Sequence, residues 1–448
     1  MNYQFENQSL PDFVKAYLKK YGGILRIPEI AGDRKYQNIV VIPAIKEFEN
    51  IRALLNSLSE MDDNYIEETL FLFVVNNGRD ANGEIKTDNL RTIELLRTII
   101  QNTNHEIDPA KKIINKKINV GLIDASTSGY ELPDKDAGVG LARKIGMDIA
   151  LTLFDYSCNQ NKNIICLDAD CTVAPNYLRE IVKETNEKKI VAGYVQYEHK
   201  LPEDEIEKHA IVCYEIFLRY YNLGLKYAGS HFSFAAIGST MFCDAESYCR
   251  VGGMNKRKAA EDFYFLEKLA KITSIKLIDS TRVYPASRRS WRVPFGTGQR
   301  INRFIAQTHD EYALYNPKIF SVLKNWLEIF TSTGMKNSEE YLAEAAEINP
   351  QLFAFLEMNS FKEDWQKIMS NSKSGKQVEK QKLIWFDGFR TLKLVHFLRD
   401  NGLGLVDMFD AVDELFTLSK INSDIYRTQN IPPLETQIKY LQILRENT

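Results

Sequence analysis

Apolar runs that alternate with helical patterns constrain the fold of this chain more than any other feature. Asn38–Pro43 (NIVVIP), Thr69–Val75 (TLFLFVV) and Asn163–Leu167 (NIICL) are continuous apolar segments of strand length. Strands that are buried on both faces have such sequences, whereas strands with one solvent face alternate apolar and polar residues. Amphipathic helical patterns lie between the runs, for example at 49–58 and 140–154. This alternation predicts an α/β fold with a doubly wound, mostly parallel sheet.

The pattern changes near residue 316, where the apolar strand runs give way to helical patterns that continue to residue 448. We therefore predict three parts: an N-terminal helical extension at 1–37, an α/β domain at 38–315 and an all-helical C-terminal region at 316–448. We expect the apolar stripes of the C-terminal helices to pack against the first domain or against a second subunit, which would form a homo-oligomer.

The composition excludes several classes of protein. Lysine and arginine number 57 against 60 aspartate and glutamate residues, a net charge of −3, so the chain as a whole has no attraction to nucleic acid. No apolar stretch reaches the ~20 residues that span a bilayer. The N-terminus lacks the basic start and apolar run of a signal peptide, and no cysteines form a CxxC pair. We therefore predict a cytoplasmic protein without a transmembrane segment.

Polar clusters follow the predicted strands at the places where each strand ends. Pro43–Glu47 follow the first strand, Asn76 and Asn77 follow the second, and Asp168 and Asp170 follow the third. Ligands of open parallel sheets bind at the carboxyl ends of the strands. Two carboxylates in this position offer hard oxygen ligands to Mg²⁺ or Mn²⁺, which could stabilise a diphosphate leaving group. The alternative is an ordinary solvated turn.

Two further segments contain charged residues in suggestive positions. Glu261 and Asp262 open a predicted helix, where they could simply complement the helix dipole or could carry proton-transfer chemistry. Arg288, Arg289 and Arg292 lie in the arginine-rich segment 286–304 and suit a clamp for a phosphate or an anionic acceptor. A solvated basic surface loop is the alternative interpretation of that segment.

Four motifs resemble those of glycosyltransferase family 2. VVIPAIKEFENIRALLNSL is similar to the opening strand and helix of that family, and GVGLARKIGMDIA to its Gly-x-x-Ala-Arg-Asn helix. LDAD is similar to its DxD motif, and VGGM…AED to its Val-Gly-Gly-Phe…Glu-Asp block. The motifs occur in the family's order between residues 38 and 271. The resemblance implies a GT-A fold and a metal-dependent, inverting hexosyltransferase-type enzyme that uses a nucleotide-sugar donor, with UDP the nucleotide that the family favours.

The resemblance also implies roles for individual residues. Asp168 would contact the ribose or sugar of the donor, and Asp170 would hold Mn²⁺ or Mg²⁺ on the diphosphate. Asp262 would be the general base for the acceptor hydroxyl, with Glu261 supporting it or contacting the acceptor. The implied donor nucleotide site consists of Pro43, Ala44, Glu47, Asn76, Asn77, Arg143 and Asp168.

The chain departs from the family pattern at several places, among them the residues after the first proline, where Ala44-Ile45-Lys46 replaces the usual tyrosine and asparagine. Asn76-Asn77-Gly78-Arg79 replaces an acidic pair with serine, which weakens the inference about the nucleotide base. The Gln-x-x-Arg-Trp motif of polymerising members is absent from the sequence, so we predict a non-processive enzyme. No histidine lies at 284–287, where many related enzymes supply a third metal ligand.

Two other functions stay open at this stage. A metal-dependent nucleotidyltransferase would also use paired aspartates on an α/β sheet, but the first strand is not followed by a Gly-rich phosphate loop with a lysine. A catalytically silent sugar-nucleotide or protein-binding module would not need a general base. The sequence also leaves the acceptor open among a saccharide, a lipid head group and a small metabolite.

Overall fold

The computed structural model describes residues 10–23, 26–103, 108–289, 296–332 and 335–448. The strands are β1 Glu29–Ile30, β2 Asn38–Ala44, β3 Thr69–Asn76, β4 Asn119–Ala125, β5 Asn163–Cys166, β6 Thr172–Val173, β7 Ala192–Tyr197, β8 Met241–Asp244, β9 Lys276–Tyr284, β10 Ala313–Leu314 and β11 Val406–Asp407. The helices are α1 Asp12–Tyr21, α2 Phe48–Ser59, α3 Gly83–Ile100, α4 Asp108–Asn115, α5 Val139–Leu153, α6 Tyr177–Glu187, α7 Glu205–Tyr227, α8 Ala245–Arg250, α9 Glu261–Ala270, α10 Thr297–Ala306, α11 Pro317–Phe330, α12 Ser338–Ile348, α13 Pro350–Met358, α14 Phe361–Asn371, α15 Gly375–Trp385, α16 Gly388–Asp400, α17 Met408–Leu418 and α18 Leu434–Asn447.

The chain divides into two compact units that are interleaved in sequence. The first contains the described residues of Met1–Lys200, Ala236–Ser287 and Trp291–Gly296. The second contains the described residues of Leu201–Ala235, Arg288–Ser290 and Thr297–Thr448, so it includes helix α7. The domain boundaries that we placed at 38 and 316 stay predictions.

A large mixed sheet forms the centre of the first unit. Its strand order is β1-β4-β3-β2-β5-β8-β7-β9-β6 among the described residues. Strands β2, β3, β4, β5, β7 and β9 share one direction, and β1, β6 and β8 run the opposite way. Because β2, β3 and β5 are parallel neighbours, their carboxyl ends open at the same edge of the sheet.

Helices cover both faces of this sheet, which explains the continuous apolar sequences of β2 and β3. Every residue of these two strands is buried. Val40 belongs to the core cluster that contains the apolar residues of α2, α3 and α6. Val41 points to the other face, where α5 approaches so closely that an added Cβ on Gly146 would overlap it. The predicted doubly wound, mostly parallel α/β fold is confirmed.

The second unit is almost entirely helical, as predicted for the C-terminal region. Its core is rich in aromatic side chains and includes Trp326, Phe330 and Trp365. Helix α7 packs against α10, α11, α17 and α18. The buried carboxylate of Glu215 on α7 accepts a hydrogen bond of 2.8 Å from Nε of Arg445 on α18. Among the described residues no helix is both long enough and apolar enough to span a membrane.

Candidate active site

Arg143 lies at the centre of the polar cluster at the edge of the sheet. It is on the first turns of α5 and only 2% exposed. Its guanidinium donates one hydrogen bond to Asp168, after β5, and another to Glu261, in the first turn of α9. Burial on its own favours a neutral guanidinium, but the carboxylates of Asp168 and Glu261 outweigh it and raise the pKa of Arg143. One buried cation therefore joins three segments that the sequence motifs identified separately.

Gly238 forms part of the wall around this cation. An added Cβ at that position would overlap the guanidinium group of Arg143. Gly238 lies in the turn that leads into β8, the antiparallel strand beside β5. Only glycine leaves the space that the guanidinium occupies, and nothing in the sequence pattern indicated this contact.

Glu261 and Asp262 are held at the N-terminus of α9. The preceding residue, Ala260, has φ +57°, a left-handed conformation that costs energy for a residue with a Cβ. The side-chain amide of Asn255 donates to the carbonyl oxygen of Glu261 at 2.9 Å, and the Asp262 carboxylate accepts from the amide of Phe263 at 2.7 Å. These contacts fix the backbone of Glu261 and the carboxylate of Asp262 at the start of the helix.

Glu261 and Asp262 differ in burial and in their contact with Arg143. Glu261 is buried and paired with it directly, whereas Asp262 is half-buried. Burial raises the pKa of both groups above their ordinary values, and the positive charge of Arg143 opposes the shift. The charge of Asp168 raises the pKa of Asp262 further. A carboxylate with a raised pKa binds a proton more readily, as a general base must.

Asp168 and Asp170 offer ligands for a cation. Their carboxylate oxygens and the sulfur of Cys171 lie within 4.8 Å of one another. Burial raises the pKa of the Cys171 thiol far above its usual range, with smaller effects from the two aspartates, so the sulfur stays protonated. A protonated thiol is a poor ligand, and the two carboxylates provide hard oxygen donors that suit Mg²⁺ or Mn²⁺. The donor set therefore fits the predicted metal.

The predicted nucleotide-binding residues lie at the ends of β2 and β3. Pro43 and Ala44 are the last residues of β2, and the buried Glu47 precedes the first turn of α2. The side-chain amide nitrogen of Asn76 donates to the backbone carbonyl oxygen of Ala44 at 3.0 Å. The side-chain amide nitrogen of Asn77 donates to the backbone carbonyl oxygen of Gly78 at 2.9 Å. These two side-chain amides thus bind backbone carbonyl oxygens at the end of β2 and directly after β3.

Asn89 on α3 completes this set of amides, and the sequence analysis missed it. Its side-chain oxygen accepts from the backbone amide of Lys46 at 2.9 Å. Its nitrogen donates to the carbonyl oxygen of Asn76 at 3.0 Å and to the side-chain oxygen of Asn77 at 2.9 Å. The available signal was weak: a polar residue in phase with Ile93 and Leu96 on the buried side of a helix.

The predicted arginine clamp is only partly within the described residues. Arg288 and Arg289 belong to the second unit, and the other residues above belong to the first. Nε of Arg289 lies 2.9 Å from a carboxylate oxygen of Glu207 in an exposed ion pair. Arg292 lies outside the described residues. The clamp stays a prediction.

Comparisons with known proteins find only distant similarity to solved structures. No family model and no curated sequence matches the chain. Residues 1–349 of S. aureus TarS in complex with UDP-GlcNAc share 13% identity at a TM-score of 0.37, with 86% of this chain and 90% of that chain covered. The mannosyltransferase PcManGT from Pyrobaculum calidifontis in complex with GDP-Man and Mn²⁺ shares 14% identity at a TM-score of 0.35, with the same coverage. Likeness at this level does not establish an activity.

Proposed function

We propose that this chain is a metal-dependent glycosyltransferase of the hexosyltransferase type, which moves a sugar from a nucleotide-diphosphate donor to an acceptor hydroxyl. The observation that carries the proposal is the ion pairing of Arg143 with both Asp168 and Glu261. It brings the DxD-like and Glu-Asp segments together across 93 residues of sequence, since 261 − 168 = 93. Nothing in the backbone fold alone would require this contact.

The charge of the site supports a role for a divalent cation. Arg143 is accompanied by four carboxylates, those of Asp168, Asp170, Glu261 and Asp262. A diphosphate that approached this excess of negative charge would be repelled. Asp168 and Asp170 would hold Mn²⁺ or Mg²⁺, which supplies the positive charge that a departing diphosphate needs.

The proposed reaction is a single displacement. The acceptor hydroxyl gives its proton to the carboxylate of Asp262 while its oxygen forms a bond to the anomeric carbon. The bond from that carbon to the diphosphate oxygen breaks on the opposite side, and the nucleoside diphosphate leaves with the electron pair. Attack from the opposite side inverts the anomeric configuration. In this scheme Glu261 orients Arg143, because its carboxylate is paired with the guanidinium.

Residues at the ends of β2 and β3 are proposed to hold the nucleotide. Pro43, Ala44 and Glu47 would line its base, and UDP is the nucleotide expected first. The hydrogen bonds of Asn76 and Asn77 to the backbone support an indirect contribution from these amides, which shape the loops around the base. Transfer of a single sugar, without processive polymerisation, is part of the same proposal.

The Asp262→Asn variant, compared with the wild type, tests the proposed glycosyltransferase against the silent binding module and the nucleotidyltransferase. We expect it to keep metal-dependent binding of UDP or another nucleoside diphosphate, measured by thermal shift, because the change is isosteric and lies outside the proposed metal ligands. We expect transfer or slow hydrolysis of the nucleotide sugar to fall by about 10²–10⁴-fold, the usual contribution of a general base. Asp108→Asn, at the exposed N-terminus of α4, is the matched control and should change neither property.

Each other outcome would contradict a different part of the proposed function. Unchanged transfer in Asp262→Asn would reject Asp262 as the base. Binding of nucleoside diphosphates without any sugar transfer or hydrolysis by the wild type would favour the silent binding module. Release of inorganic diphosphate from a nucleoside triphosphate and a sugar phosphate would favour the nucleotidyltransferase. A wild type that no nucleotide stabilises would overturn the donor site itself.

A further inference from the structure

A second buried polar cluster lies beside the candidate active site in the first unit. The carboxylate of Asp148 accepts hydrogen bonds of 2.7 Å from the hydroxyls of both Tyr17 and Tyr248. Nζ of Lys144 donates to Asp148 at 2.9 Å and to the Tyr17 hydroxyl at 2.9 Å. We call these four residues the Asp148 cluster. It joins α1, α5 and α8, and all four side chains are buried.

The Asp148 cluster is balanced in charge and in hydrogen bonds. One carboxylate meets one ammonium group and two hydroxyls, so no charge is buried without a partner. Burial, followed by the negative charge of Asp148, raises the pKa of Tyr17 and of Tyr248, which keeps both phenols protonated as donors. Removing one hydroxyl would leave a buried carboxylate short of one donor.

The first connection from this cluster to the active site runs along α5. Arg143 immediately precedes Lys144 on that helix, and Asp148 follows one turn later. Because Arg143, Lys144 and Asp148 are on the same helix, a rotation of α5 that weakened the Asp148 contacts would also displace the guanidinium from Asp168 and Glu261.

The second connection runs through the glycines that follow α8. Gly252 and Gly253 have φ values of +76° and +71°, which glycine adopts without strain. An added Cβ on Gly253 would overlap the Tyr17 hydroxyl. An added Cβ on Gly140, in the first turn of α5, would overlap the carbonyl oxygen of Arg257. The loop that leads to Glu261 is therefore packed against α1 near its start and against α5 near its middle.

From these contacts we infer that helix α1 supports the active site. In this inference Tyr17 is a positioning residue for Arg143 and for the Glu261–Asp262 pair. The inference rests on the proposed function for its catalytic meaning. Tyr17 precedes the segment that resembles known glycosyltransferases, so the motifs did not indicate any role for it. Its hydroxyl is hydrogen-bonded to Lys144 and Asp148 on α5 and packs against Gly253 in the loop that leads to Glu261. Helix α5 carries the guanidinium, and this loop leads to the carboxylates.

The Tyr17→Phe variant tests the inference, with Tyr21→Phe as the matched control. Tyr21 lies one turn later on α1 with 42% of its surface exposed, and its ring packs near Gly252. We expect Tyr17→Phe to lower kcat by about 10–100-fold while the KM for the donor changes less than about threefold, because misplacement of reacting groups affects chemistry more than binding. Tyr21→Phe should keep the wild-type kcat. Equal kcat values for the two variants and the wild type would overturn the inference.

Amide hydrogen exchange of the whole protein gives a readout that does not depend on activity. In Tyr17→Phe we expect faster exchange at 251–263 and unchanged protection of β2 and β3. Unchanged exchange at 251–263 would overturn the positioning role even if activity fell. If the wild type transfers no sugar from any nucleotide donor, the proposed function fails, and the exchange result still decides whether Tyr17 positions this loop.

Discussion

The side chain of Arg143 explains how a single residue can hold two carboxylates that are distant in sequence. A guanidinium group presents several N–H donors in a rigid plane, so two of its nitrogens can each donate to a different acceptor. Here one acceptor follows β5 and the other opens α9. A lysine would offer its donors from one nitrogen, without the fixed planar spacing of the two guanidinium nitrogens. The geometry of the site therefore depends on the shape of this side chain as well as on its charge.

Gly238→Ala should disturb the site without unfolding the first unit. The new methyl group would displace the guanidinium of Arg143, and we expect transfer to fall by at least about tenfold because the reacting groups lose alignment. The midpoint of thermal unfolding should fall by only a few degrees. Gly375→Ala, where an added Cβ meets no atom within 4 Å, is the control. Wild-type transfer in Gly238→Ala would contradict the tight packing around Arg143.

The raised pKa of Asp262 predicts an acidic limit to activity. A general base works only when it is deprotonated, so if Asp262 has the proposed role, kcat/KM should fall as the pH decreases through its pKa. Because burial raises the pKa, the fall should occur above pH ~3.9, the ordinary value for aspartate. A rate profile measured from pH 4 to 9 checks this expectation. A rate that stays constant down to pH 4 would contradict it.

Sequence motifs identified the charged residues of this site, but not the residues that pack against or hydrogen-bond to the site from other segments. Asp168, Glu261 and Arg143 stand in short local patterns, and the structure brings these three together. Gly238 and Asn89 act on partners from other segments, so their roles depend on three-dimensional contacts that leave no local pattern. The metal and base assignments themselves stay predictions until they are measured.

At the scale of elements, α5 connects the sheet with the site. The sequence predicted this helix at 140–154, and the structure has it at Val139–Leu153. Gly146 allows it to lie close to β2 and β3, and Gly140 allows the loop before α9 to lie close to its first turn. The sequence did not predict that antiparallel β8 would separate β5 from β7, because strand order depends on contacts between distant segments.

Asn89→Ala should weaken the link between the loops that follow β2 and β3. Loss of its amide leaves the backbone amide of Lys46 and the buried side-chain oxygen of Asn77 without this partner. A buried polar group left unsatisfied costs about 1–3 kcal/mol. We expect a lower free energy of unfolding in urea and a weaker affinity for the nucleoside diphosphate. Asn159→Ala, at an exposed position, should change neither. Equal stability of the two variants would contradict the proposed link.

At the scale of the whole molecule, the interleaving of the two units predicts how the chain responds to truncation. The fragment 1–315 ends where the sequence suggested a boundary, but it lacks α11, α17 and α18, which pack on α7. We expect this fragment to expose apolar residues of α7 such as Ile216 and Leu223 and to aggregate, whereas the full chain stays monodisperse. Size-exclusion chromatography distinguishes the outcomes. A monodisperse, folded fragment would show that α7 does not depend on those helices.

The contact between α7 and α18 also has a consequence for protein synthesis. The buried Glu215 is made long before Arg445, its partner on α18, since 445 − 215 = 230 residues separate them. At about 5–20 residues per second, a ribosome needs roughly 10–50 s to add the intervening chain. During that interval Glu215 lacks its bond to Arg445, and the part of α7 that α18 contacts in the folded protein is still exposed. A nascent chain of this protein therefore presents a binding surface for chaperones until its last helix is complete.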